Sequence, residues 1–132
     1  MKILGINETS HDAAVALIDQ NKILFAGHAE RYSKIKNDWY CNWSLLNNAF
    51  QYGIPKAVTY YEKPLLKKSR LLLKGGYGDW NPKTPHTIKN IFGKSIPVQY
   101  FKHHHSHAAA GYYTSSFDDA VIVVLDAMGE WN

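Results

Sequence analysis

The sequence predicts an α/β domain built around a mixed sheet, on three observations. Apolar runs of strand length fill the first 27 residues, segments of helical period alternate with strand-like runs after them, and no linker, repeat or low-complexity tract divides the chain. A single sheet with flanking helices is the simplest architecture that uses all of these segments.

Lys2 to Ile6, Ala13 to Ile18 and Lys22 to Gly27 are apolar runs separated by the polar stretch Asn7 to Asp12 and by Asp19-Gln20-Asn21. They are expected as consecutive antiparallel strands. Trp43 to Tyr52 places apolar residues at Trp43, Leu46, Ala49 and Phe50, a helical spacing that Gly53 ends. Ala57 to Tyr61 reads as a strand. Lys63 to Lys74 sets Leu65, Leu66, Leu71, Leu72 and Leu73 among Lys67, Lys68 and Arg70, the pattern of a basic amphipathic helix. Gly75 to Gly78 and Pro82 to Pro85 form a loop, and Pro97 to Phe101 a further strand. His103 to Tyr113 contains Ala108-Ala109-Ala110, strong helix formers. Ala120 to Leu125 is a continuous apolar run of the kind found in buried strands.

The 132 residues can bury about two-thirds of their unfolded surface, enough for one core. With 45% hydrophobic and 20% charged residues, the composition excludes collagen-like, coiled-coil and charge-driven disordered chains. The net charge of +4 comes from scattered lysines, so no nucleic-acid partner is expected. Cys41 is alone and cannot form an internal disulfide, and no apolar stretch is long enough for a signal peptide or membrane span. A cytoplasmic protein without membrane contact is the expectation. Asn42-Trp43-Ser44 and Asn7-Glu8-Thr9 resemble glycosylation sites but carry no meaning in that compartment.

The sharpest chemical signal is Lys102-His103-His104-His105-Ser106-His107. On a helix His103 and His107 project from one face, which lets two imidazoles share one metal ion; surface or core histidines are the alternative. Asp126, directly after the apolar run, is a candidate third ligand or a turn-forming aspartate. Two imidazoles and a carboxylate suit iron(II), manganese or zinc with positions left open. No Glu stands between the histidines to act as the general base of a zinc protease. Gly5 to Asp12 places backbone amides and polar side chains in a tight turn, suited either to an anion or to simple solvation. Gly93-Lys94-Ser95 lacks the first glycine of a phosphate loop, with Ile88 in its place, and Gly75 to Gly78 lacks dinucleotide-binding spacing.

Ile3 to Ile6 through His11-Asp12 to Ile18, then Ala29 to Lys36, then His103 to Ala109 and Asp126 to Trp131 together resemble the N-terminal part of the nodulation and tobramycin type of carbamoyltransferase, in that family's order. The resemblance implies the first half of an actin, sugar-kinase and Hsp70-like (ribonuclease H-like) fold, related to the tRNA threonylcarbamoyl transferase domain. It implies ATP-dependent transfer of a carbamoyl group from carbamoyl phosphate, through carbamoyl adenylate made in a separate C-terminal domain, to a hydroxyl of a small molecule or glycan. Carried over by position, His103, His107 and Asp126 match metal ligands, iron(II) being favoured. His11 and Lys36 match catalytic groups at the transfer site, and Arg70 matches a substrate-binding residue. Ala127 stands where the family pattern has glycine. The chain is expected to be a single N-terminal subdomain, 1–132, of a longer protein, inactive alone and open to self-association. The competing expectations are a small-molecule kinase of the same fold, which would carry an acidic residue at Asn7, and a metal-binding or interaction module without chemistry.

Overall fold

The computed structural model describes residues 1–8, 12–63, 91–92 and 96–125. Its frame is one five-stranded sheet made of β1 (Lys2–Asn7), β2 (Ala14–Asp19), β3 (Lys22–His28), β4 (Ala57–Tyr60) and β5 (Val98–Tyr100), in the order β3-β2-β1-β4-β5. The first three strands are antiparallel neighbours, as their short polar connections require, with Gly5 opposite Ala16 and Ala16 opposite Ala26. β4 and β5 join the other edge in parallel, Ile6 opposite Tyr60 and Tyr60 opposite Tyr100. The expected mixed α/β sheet is therefore present, with strand limits shifted by one residue at most of the predicted ends.

Alternation along β1, β2 and β4 sends Leu4, Ile6, Val15, Leu17, Val58 and Tyr60 to one buried face. Helix α2 (Trp43–Phe50), which follows the short α1 (Glu30–Ser33), covers that face with Leu45, Leu46 and Ala49. Its start is set by Asn42, whose side-chain oxygen accepts from Leu45 N at 2.9 Å while its Nδ2 donates to Ala29 O at 3.0 Å. The residue that looked like a glycosylation acceptor is thus a helix cap. Gly53, at φ 119°, ends the helical segment in a conformation that a side chain would strain, and a Cβ there would meet the Lys2 side chain. At β3, Gly27 leaves the room that Leu45 fills, since an added Cβ would lie 2.9 Å from Leu45 Cδ1. The Met1 ammonium, 2.7 Å from Asp19, holds that exposed carboxyl below the usual carboxylate range.

Helix α3 (His103–Tyr113) follows β5 as predicted. One expectation fails: Ala120 to Leu125 forms no strand, and Val121 and Leu125 are 95% and 92% exposed. An apolar, β-branched run states a need for cover but names no partner strand, and among the described residues β5 remains an edge to which this run does not pair. The predicted basic helix from Lys63 to Lys74 lies outside the described residues except for Lys63, which is in no regular element, and the loops at 75–78 and 82–85 also lie outside them. Among the described residues no helix is long and apolar enough to cross a membrane.

Candidate functional site

Because β1, β4 and β5 run parallel, their carboxyl ends lie along one edge of the sheet, the position at which open α/β sheets commonly bind ligands. Three parts of the sequence converge there. Glu8 is fully buried at the end of β1, where its carbonyl accepts the Tyr60 hydroxyl at 2.6 Å. Tyr61 and the buried Glu62 follow β4, and α3 begins three residues after β5 ends.

The connection from α1 to α2 is tied to the same edge. Ala13 N donates to Asp38 O at 2.7 Å, and the buried Cys41 thiol lies 3.8 Å from Asn7 O and 3.9 Å from Ala14 O. Lys36 is exposed in this connection, two residues from the Asp38 anchor. Lys34 and Asn37 flank it with left-handed φ values of 62° and 56°, and Lys34 serves there as the C-cap of α1. Asn7 Oδ1 is buried and has no hydrogen-bond partner among the described residues, while Asn7 Nδ2 reaches Asp12 O at 3.4 Å. An unpartnered buried acceptor at a strand end costs stability.

The histidine helix shows the geometry that its spacing predicts. His103 and His107 present their Nε2 atoms 3.0 Å apart, with ring centroids at 4.5 Å and an interplanar angle of 83°. At that distance one ring nitrogen donates its hydrogen to the lone pair of the other, and which of the two donates is set by the tautomers. Both nitrogens can reach one ion at the roughly 2.1 Å of an imidazole–metal bond, so the donor pair fits a divalent cation. Among the described residues no third His, Cys, Asp or Glu joins them. Asp126, the proposed third ligand, lies outside the described residues, as do His11 and Arg70.

The structure thus places Lys36, His103 and His107 and leaves the other three proposed site residues unplaced. It also brings in Tyr60, Tyr61 and Glu62, which belong to no motif of the sequence, with Ser106 from within the histidine motif and Glu8 from the polar hairpin. Ser106 donates its hydroxyl to Tyr61 O at 3.1 Å, and the Tyr61 ring meets His103 edge-on at 5.5 Å. Their signal was faint, because a tyrosine pair at a strand end and a serine among histidines have no fixed chemical meaning without a register.

A mixed sheet with a histidine-bearing helix after its last parallel strand defines an α/β domain, with two imidazole nitrogens 3.0 Å apart on that helix. Residues 40–132, well over half of the chain, match the family model described as the carbamoyltransferase N-terminus, and the chain belongs to that family. It is also similar to an uncharacterized protein of Synechocystis sp., 27% identical over 163 aligned residues that take in 98% of this chain and 26% of that protein. The chain therefore spans about a quarter of the length of that relative.

Proposed function

We propose that the protein containing this chain transfers a carbamoyl group from carbamoyl phosphate to an acceptor hydroxyl, using ATP to form carbamoyl adenylate. Family membership supports the class of reaction, and the observation that carries the site is the 3.0 Å approach of His103 and His107 Nε2 at the carboxyl edge of the parallel strands. In this reading His103, His107 and Asp126 hold a divalent cation, with iron(II) favoured over manganese or zinc. When bound, the cation supplies Lewis-acid polarisation or charge neutralisation at a carbamoyl or phosphate oxygen.

The chain's own groups account for the rest of the proposed transfer. His11 takes the proton of the attacking hydroxyl, a task suited to a side chain that changes charge near neutral pH. The hydroxyl oxygen bonds to the carbamoyl carbon and the adenylate oxygen leaves. Lys36, on its anchored connection, offers its ammonium to the oxyanion that develops between these events. Arg70 binds substrate. The acceptor is a small molecule or a glycan, and the fold of the whole is the two-halved actin and sugar-kinase type.

The test of the transfer site is substitution in the full-length protein. His11→Ala and Lys36→Ala should each lower kcat by about 100-fold, the low end of the effect of a positioned acid–base or oxyanion group, with thermal stability unchanged. Full turnover by both variants would remove them from the site.

Self-association of the isolated chain is part of the same proposal. Val121, Val123 and Leu125 are largely exposed, and an exposed apolar run favours association with another copy. Light scattering should show a mass that rises with concentration. A chain that stays monomeric throughout would contradict this.

A further inference from the structure

We propose that Ser106 and Tyr61 are positioning residues for the histidine pair, a reading that deepens the proposed site and rests on its metal assignment. Ser106 lies one residue before His107 and three after His103, so its hydroxyl leaves the helix beside the face that carries both imidazoles. A serine in a helix commonly donates to the carbonyl four residues back, and Lys102 O is available at 3.3 Å. Tyr61 O is nearer, at 3.1 Å, and it belongs to the chain just beyond β4 rather than to the helix. The hydroxyl therefore fastens the first turn of α3 to the sheet edge.

No residue of α3 is buried among the described residues, and its N-cap, Lys102, makes no side-chain hydrogen bond. Tyr61 completes the clamp from the other side: its carbonyl receives Ser106 and its ring meets the edge of His103 at 5.5 Å. The Tyr61 ring lies against that of Tyr60, centroids 5.0 Å apart and tilted by 45°, and the Tyr60 hydroxyl donates to Glu8 O. The rotation of α3, and with it the direction of both imidazoles, is thus referred to the ends of β4 and β1. Groups hydrogen-bonded directly to a metal ligand typically contribute 10–100-fold to metal affinity, and a clamp on the turn that carries the ligands acts one step further out, at the lower end of that range.

The experiment uses the full-length protein and cobalt(II) as the probe, with Ser106→Ala and Ser106→Thr. Alanine is the better helix former, so Ser106→Ala should fold normally and gain rather than lose helix stability. It is nevertheless expected to weaken cobalt(II) binding roughly tenfold, and Ser106→Thr, which keeps the hydroxyl, to restore it. A second measurement needs no metal: the ring resonances of His103 in the metal-free protein should shift in Ser106→Ala and return in Ser106→Thr. Unchanged cobalt(II) affinity together with unchanged His103 resonances in Ser106→Ala would overturn the clamp. If His103→Ala and His107→Ala leave cobalt(II) binding intact, the metal assignment fails on its own. The resonance shifts then decide whether Ser106 positions His103.

Discussion

Replacing His103 and His107 together by alanine is expected to cut divalent-metal affinity by more than the roughly 10–100-fold that loss of a supporting outer group costs, because it removes the proposed ligands rather than their supports. The Nε2 atoms stand 3.0 Å apart, close enough for both to reach one ion, so removing either takes away half of the donor pair. Binding should also weaken as pH falls, because a protonated imidazole has no lone pair to give, and metal uptake at neutral pH should release protons. The double variant keeps its helix, since alanine at two helical positions raises helix propensity. Titration calorimetry and elemental analysis, beside far-ultraviolet circular dichroism, separate loss of metal from loss of fold. Equal binding by wild type and variant would remove the metal from this helix.

The second large effect is on stability. Leu45→Ala is expected to cost about 3 kcal/mol, within the 2–5 kcal/mol of large-to-small core substitutions. Leu45 is fully buried, and its Cδ1 occupies the space that Gly27 leaves by having no side chain. The backbone of β3 cannot collapse inward without moving the ladder to β2, so the cavity would persist. Against a total of about 5–15 kcal/mol for an ordinary domain, this is a large fraction. Trp43→Ala, on the same helix but 63% exposed, should cost much less. Urea unfolding at unchanged slope measures both. A Leu45→Ala chain as stable as wild type would contradict the packing of α2 on the sheet.

The first three strands were legible because Asn7 to Asp12 and Asp19-Gln20-Asn21 are too short to connect anything but antiparallel neighbours. The helix from His103 was legible through its alanines. Ala120 to Leu125 was misread, because apolar continuity reports that a segment seeks cover without reporting where the cover comes from. The short α1 was missed, since its four residues offer less than two turns of periodicity.

The site divides in the same way. The histidine pair follows from a spacing of four along one helix, which is local information. That the pair stands beyond Tyr61, and that Glu8 meets Tyr60, 52 residues away, are consequences of β4 lying parallel to β1. No local pattern encodes that register. Asn42 likewise reads as a modification motif in isolation and as a cap only once Leu45 N is seen to donate to it.

The central claim, that this chain belongs to an enzyme that moves a carbamoyl group, is tested most directly by turnover of the full-length protein. It would be supplied with carbamoyl phosphate, ATP, a divalent metal and a panel of hydroxyl-bearing acceptors, with product followed by mass. The account predicts a product heavier by one carbamoyl group, dependent on both ATP and carbamoyl phosphate and lost in the His103→Ala/His107→Ala variant. Consumption of ATP with a phosphorylated acceptor, or no carbamoylated product from a folded, metal-loaded protein, would contradict it.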